Sequence, residues 1–440
     1  MSRMFLTDEM GERLHAHAAA LFPICRSITG DGLRKTLAYI GRHIPLAVTE
    51  VPSGTEVLDW TVPLEWTPRT ATIRRTSGEV VVDFADHSLH LLQYSHAVDR
   101  IVPRGELDRH LHSLPDQPDL IPYRTAYYAE TWGFCLPHRT RLAMTDPEYR
   151  VTIDADLAPG ALSYGECVIP GTEAGEILLS VHSCHPSLAN DNLSGIAVAI
   201  EFARAWAARP HRLGLRVVFL PGTIGAITWL ARNRDRLQHV VHGLVLTCLG
   251  DAGPPTFKRS RKGNAGIDRA AAYALSELGH ADRVQPFVPY GYDERQYCSP
   301  GFDLPVGCLM RSPNGTFPEY HTSADSLHFI RPDALAGSLA LLQRVLAIAE
   351  ADRTWRNTQP FGEPQLGRRG LYAQIGGASD TGPGAAAFDQ LTMLWVLNQS
   401  DGSASLLDIA ERSGKPFDAV AAAAAALAEA GLLVPTDQAG

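Results

Sequence analysis

The chain lacks any segment that reads as a membrane span, because no apolar run approaches the ~18–20 residues such a helix needs. Its first residues, MSRMFLTDEMGERLHAH, alternate charge and polarity and lack the apolar core of a signal peptide. Basic charge is scarce, with 39 Lys and Arg against 48 Asp and Glu and a formal net charge of -9. That balance argues against nonspecific nucleic-acid binding, which works by neutralising phosphates. The 7 Cys residues are scattered and form no CxxC pair, so they read as reduced thiols and not as a disulfide framework. A GxSxG nucleophile elbow, a GxxxxGKS/T phosphate loop and a GxGxxG turn after a strand are all missing. The expectation is a globular cytoplasmic protein with no membrane or nucleic-acid partner. Its oligomeric state is left open, a homo-oligomer included. At roughly 150 residues per domain, 440 residues give two or three domains.

Three textures follow one another along the chain. Residues 8–22 and 31–43 carry helical periodicity. From about 46 to 135, short β-branched and aromatic runs such as EVLDWTVPLEW and EVVVDFADHSLHLL are broken by Pro, Ser and Gly, which reads as a β-rich part with long surface connections. From about 151 to 350, continuous apolar runs (ILLSVH, LRVVFLP, GLVLTCL) alternate with amphipathic stretches. That pattern implies a mixed or parallel sheet with helices on both faces. A Pro/Gly-rich join at 359–384 leads into three helical segments arranged as in a winged helix. Residues 385–440 hold two cations (Arg412, Lys415) against seven acids, and the third helix is nearly all alanine, so DNA binding is not expected of this tail.

The densest polar cluster, Ser180 to Gly195, follows an apolar strand and leads into a helix. His182, His185 and Asp191 therefore fall at the carboxyl edge of the sheet, where α/β proteins gather ligands. Imidazole and carboxylate together are what zinc takes, and Asn190, Asn192 and Ser194 can orient the carboxylate and cap the helix. A second cluster, Glu319-Tyr-His-Thr-Ser-Ala-Asp325, lies far downstream, and Asp251 closes another strand on the same expected edge. Separate strand ends supplying His and Asp would assemble a metal site. Cys184 between two histidines reads as a buried thiol or a neighbour of the metal rather than as a nucleophile.

Here the sequence resembles a known family. HSCHPSLANDNLSG is similar to the His…Asp-Asn-x-Ser-Gly segment of zinc aminopeptidases with a co-catalytic metal pair, relatives of glutamate carboxypeptidase and glutaminyl cyclase. EYHTSAD resembles the segment giving their last metal ligand. DERQYCSPGFDLP, FPEYHTSADSL and EPQLGRRGLY look more specifically like bacterial aminopeptidase-like proteins, which are often found near polysaccharide or natural-product biosynthesis genes. The resemblance implies an α/β zinc-peptidase-like body (1–45 and 136–358), a β-rich inserted domain (46–135) and a winged-helix-like domain (359–440). It matches Asp191 to the metal-bridging Asp, His321 to the histidine of the first metal, and His182 or His185 to the family's first histidine. Asp251 lies near a further ligand position. Asp293 resembles an element lining the substrate pocket, with Arg295 and Tyr320 as further candidates for substrate contact.

The chain also departs from the pattern. Where the family has adjacent glutamates, the first a general base and the second a ligand, this sequence has Gly222 and Thr223. Glycine cannot take a proton from an attacking water, and losing a general base typically costs ~10²–10⁴-fold. The expectation is about one Zn²⁺ per chain and metal-dependent hydrolysis of an amide or peptide bond in a small substrate. Glu319 and Glu294 are the candidate substitutes for proton transfer, with Asp293 and Glu294 favoured for a substrate amine. A glutamate restored at 222 should then enhance peptidase activity. The alternative is an acyl-transfer or cyclisation enzyme, or a binding protein.

Overall fold

A computed structural model describes residues 8–371 and 389–436. The chain divides into two compact units, Met1–Gln343 and Arg344–Gly440.

The first unit is built on an eight-stranded mixed sheet. Its order is Ala47–Pro52, Ala161–Ile169, Gly214–Leu220, Glu176–His182, Val240–Leu246, Val306–Met310, Thr256–Lys258 and Val284–Gln285. The four strands from Gly214–Leu220 to Val306–Met310 run parallel, and antiparallel pairs flank them on both sides. Every residue of Gly214–Leu220, and all but the first of Glu176–His182, is buried. That is why these strands read as unbroken apolar runs: helices cover both faces. Arg216, the one charged residue on the Gly214–Leu220 strand, is satisfied by Glu176 (Nε to Oε2, 2.9 Å) and Glu166 (Nη1 to Oε1, 3.0 Å). Helices Ser194–Ala207, Ile224–Arg232 and Gly266–Glu277 follow the strands in turn, as the alternation implied.

A separate four-stranded sheet has the order Val80–Asp83, Glu65–Arg75, Glu148–Ala158, Val98–Pro103. Its longest pairing joins Glu65–Arg75 to Glu148–Ala158, so the β-rich part recruits a strand from beyond residue 135. Trp66, Ile73, Tyr149 and Val151 form its apolar face. The segment between its strands Val98–Pro103 and Glu148–Ala158 returns to the body: Tyr123 N–H donates to the His321 carbonyl at 2.8 Å, and Ser323 N–H to the Ile121 carbonyl at 2.9 Å.

The expectation of no long apolar stretch needs correcting. Among the described residues, the helix Pro332–Ala351 is long and apolar enough to cross a membrane by length and composition. Asp333, Gln343, Arg344 and Glu350 interrupt its hydropathy in sequence without ending the helix. Most of its apolar window is buried within the protein, as in a core helix.

The second unit holds helices Gln390–Gln399, Leu406–Ser413 and Phe417–Glu429 with a three-stranded sheet, Asp401–Ser405, Thr354–Asn357, Leu433–Pro435. Ser405 and Asp408 cap the middle helix reciprocally, and Gly414 ends it at φ 68°. The alanine-rich last helix packs Phe417, Val420 and Leu427 inward. Strand Thr354–Asn357 lies ahead of residue 359, and part of the Pro/Gly-rich join falls outside the described residues.

Candidate functional site

His182 ends its strand, and the chain then loops through His185 to a distorted turn, Ala189–Leu193, before the helix at Ser194. This turn is held by its own backbone. Asp325 accepts the N–H groups of Asn190 (2.6 Å) and Asp191 (3.0 Å), while the Ser194 hydroxyl donates to the Asn190 carbonyl (2.6 Å). Asp191 is thereby aimed at the sheet edge, fully buried.

Three imidazoles surround that carboxylate. His182 Nε2 lies 2.7 Å from Asp191 Oδ1, His321 Nε2 lies 3.0 Å from Oδ2, and His185 Nδ1 lies 3.9 Å from Oδ1. Burial by itself would raise the Asp191 carboxyl; the surrounding imidazoles outweigh it and hold the carboxyl well below its usual range. Burial depresses His185 well below the usual histidine range, so the ring is neutral, the state a metal ligand needs. Asn192 Nδ2 donates to His182 Nδ1 (3.2 Å) and to the Leu246 carbonyl (2.9 Å), fixing the His182 ring from behind. Arg26, itself fully buried, donates to the His185 carbonyl at 2.9 Å.

The donors fit a metal ion. One ligand atom from each of His182, His185 and Asp191 can be chosen so that all lie within 4.8 Å of one another. His185 Nδ1 is buried without a hydrogen-bond partner. An orphaned neutral imidazole nitrogen beside a carboxylate is costly unless something occupies it.

Around these groups opens a cavity of about 380 Å³. His185, His321, Tyr292 and Thr223 line it from the body, and Trp60, Tyr123, Tyr127 and Tyr128 line it from the β-rich part. Tyr292 stacks against His182, with ring centroids 3.7 Å apart. A Cβ on Gly222 would lie 1.9 Å from the Tyr292 hydroxyl. The space beside position 222 is filled by a phenol, so a glutamate placed there would first have to displace Tyr292.

Several sequence candidates lie elsewhere. Asp251 is not gathered with the histidines. Its Oδ1 accepts from Gly253 N–H and the Ser312 hydroxyl, and its Oδ2 from Asn190 Nδ2 and Ser312 N–H. It braces the Asp191 turn instead of offering a lone pair. Glu294 is fully buried, ion-paired with Lys258 and bonded to Tyr292 N–H at 3.1 Å, which removes it from both catalysis and amine binding. Asp293 lies behind Thr223, whose N–H donates to it at 2.7 Å, and burial pushes its carboxyl up to about 7. Arg295 is half-buried, its charge countering that rise. Tyr320 stacks on His321 at 4.0 Å. Glu319 is half-buried on the turn into His321, its carbonyl accepting from Thr322 N–H at 3.1 Å; its carboxylate does not line the cavity. Burial pushes the Cys184 thiol up to about 12, so it is no nucleophile.

Sequence reasoning missed Tyr292 and the tyrosines of the β-rich part. A tyrosine directly before Asp293 was the available signal for the first; no local signal marked the others.

Fold and site together define an aminopeptidase-like α/β protein with a C-terminal winged helix. The chain belongs to a family described as a domain of unknown function (DUF4910), which it matches over residues 15–352, and residues 353–435 match a winged helix-turn-helix family. A Clostridium acetobutylicum protein, provisionally named a polysaccharide biosynthesis protein with aminopeptidase-like domain, is 47% identical over 427 residues, 97% of either chain. A crystal structure of a provisionally named peptidase from C. acetobutylicum shares 45% identity at a TM-score of 0.89, covering 98% of this chain and 97% of that one. BSAP, a zinc aminopeptidase from Bacillus subtilis, is similar in fold: 12% identity and a TM-score of 0.57 over 77% of this chain and 95% of that one.

Proposed function

We propose that this chain is a metal-dependent hydrolase acting on an amide bond of a small substrate. The observation supporting it is the convergence of His182, His185 and His321 on the buried carboxylate of Asp191 at a ligand-sized cleft. Asp191, His321 and one or both of His182 and His185 would hold about one zinc ion, filling three protein positions and leaving one for water. Bound there, zinc would polarise a carbonyl and acidify water. The chain's own residues orient and flank the site: Asn192 holds the His182 ring, Asp325 holds the Asp191 turn, and aromatic side chains line one wall of the cleft. With Glu294 and Asp251 committed elsewhere, Glu319 is the remaining candidate for proton acceptor in this reading, and because its carboxylate stands outside the cavity its turn would have to swing toward His321 for it to act. Glu319→Gln is then expected to cut turnover by ~10²–10⁴-fold without changing metal content. The name of the C. acetobutylicum relative speaks of polysaccharide biosynthesis, which favours a small biosynthetic amide over bulk protein as substrate.

A second reading, acyl transfer or ligand binding without hydrolysis, is favoured by one feature: Tyr292 fills the place beside Gly222 where the related peptidases carry their base. The experiment is elemental analysis of zinc-loaded protein followed by a panel of amide substrates, with Asp191→Ala alongside. Stoichiometric zinc that is lost in Asp191→Ala, together with amide cleavage, is the expected result. Stoichiometric zinc without any cleavage would put the second reading in its place.

A further inference from the structure

The wall that the β-rich part contributes to the cleft is aromatic and rigidly held. Trp60 and Tyr128 meet edge to face with centroids 5.6 Å apart, and the Tyr128 hydroxyl donates to the Thr61 carbonyl at 3.1 Å. The hydroxyls of Tyr123 and Tyr127 lie 3.2 Å apart, and Tyr127 donates to Gln93 Oε1 at 3.4 Å. Trp60 and Tyr128 nevertheless remain 41% and 51% exposed at the cavity that also holds His185 and His321. Large aromatic faces fixed at the mouth of a cleft and left in water are suited to a flat ligand face.

Among the described residues, no Asp, Glu, Lys or Arg lines this cavity. Of the nearby carboxylates, Asp191 is held by imidazoles, Asp251 by four hydrogen bonds and Glu294 by Lys258, while Asp293 is enclosed behind Thr223 and Glu319 stands outside the cavity. A substrate ammonium entering here would lose its hydration without gaining a counter-charge, which is costly. Thr125 and Thr223, which also line the space, carry hydroxyls able to donate to and accept from a ligand. A plain hydrocarbon ring would leave them unpaired.

We propose that the corner built by Trp60, Tyr128, Tyr127 and Tyr123 is a subsite for an uncharged, hydroxyl-bearing ring, so that the substrate is an N-acylated sugar and not a peptide with a free α-ammonium. The ring presents its C–H face to the aromatic wall and its hydroxyls to the threonines and phenols. The acyl amide then points toward His185 and His321. The substrate assignment rests on the amide-hydrolase reading; the binding subsite stands without it.

The test is calorimetric titration of the full chain, metal-stripped and zinc-loaded, with N-acetylglucosamine, its N-acetylated disaccharide, glucosamine and leucinamide. The acetylated sugars are expected to bind with and without zinc, and the two cationic probes roughly tenfold more weakly or worse. Trp60→Ala and Tyr128→Leu, both at exposed positions, should each weaken the acetylated sugars by about tenfold with zinc content unchanged. Failure of both acetylated sugars to bind overturns the subsite. So does equal or tighter binding of glucosamine or leucinamide, or unaltered affinity in both variants. Sugar binding without cleavage of any amide refutes the hydrolase reading alone. Leucinamide cleavage without sugar binding refutes the subsite alone.

Discussion

The Tyr292 hydroxyl and the α-carbon of Gly222 are close enough that neither residue could be replaced by a larger one without moving the other: a Cβ at 222 would stand 1.9 Å from the oxygen and 2.4 Å from Cζ. The phenol ring is packed on His182 and its hydroxyl lies 3.7 Å from Cys184 Sγ, so it has little freedom to yield on that side. Gly222→Glu is therefore expected to lower the thermal midpoint, at a cost of about 1–3 kcal/mol for overpacking, and to add no activity. Gly222→Glu combined with Tyr292→Ser makes the room and is the combination expected to raise amide hydrolysis. Melting curves and turnover of the single and double variants check this. A single variant as stable as the parent would mean that the phenol is not a fixed wall.

Much of the body was legible because its physics is local. Strands buried on both faces must be apolar throughout, so ILLSVH, LRVVFLP and GLVLTCL announce themselves, and the helices between them follow from periodicity. His182 was legible as a polar residue at the end of an apolar strand, and Asp191 and His321 through the polar motifs around them. Glu148–Ala158 alternates and reads as a strand, yet nothing in it says that its partner is Glu65–Arg75. The bridge between Pro122 and Thr322 joins segments two hundred residues apart, so a Pro-rich stretch that looks like a surface connection instead anchors a wall of the cleft. Asp251 and Glu294 were misread for the same reason. A carboxylate's availability depends on Ser312 or Lys258 reaching it from elsewhere in the chain.

Metal binding should be visible as stability. An ion that binds the folded chain alone stabilises it by mass action, and the orphaned His185 Nδ1 gains a partner. Stripping with a chelator is expected to lower the melting midpoint and zinc to restore it. Asp191→Ala should abolish the response, and His185→Ala should reduce zinc stoichiometry or affinity. A midpoint indifferent to chelator and zinc would remove the site from consideration.

The winged unit is expected not to bind DNA. Its last helix, Phe417–Glu429, offers alanines where a recognition helix would offer cations, and Lys415 is tied to Asp389 at 2.7 Å. Phosphate contacts are strongest at low salt, so titration of the full chain with duplex DNA at low ionic strength is the demanding condition. Submicromolar binding that weakens with salt would contradict the expectation.

Asp293 should make stability fall as pH rises. Its side chain is enclosed behind Thr223, with Oδ1 accepting the Thr223 N–H and Oδ2 unpartnered, and burial pushes the carboxyl up to about 7 from an ordinary value near 4. Below about pH 4 the group is protonated in both folded and unfolded chains and contributes no pH dependence. Between about 4 and 7 the folded chain holds a proton that the unfolded chain has released, so each step upward in pH costs stability. Above about 7 both states are ionised, and the full penalty of a buried carboxylate is present. Asp293→Asn keeps an oxygen for Thr223 and removes the ionisation. The variant should melt close to the parent near about pH 4 and progressively above it toward about pH 8. Parallel melting curves for the two proteins across that range would show that the Asp293 carboxyl does not change its proton affinity on folding.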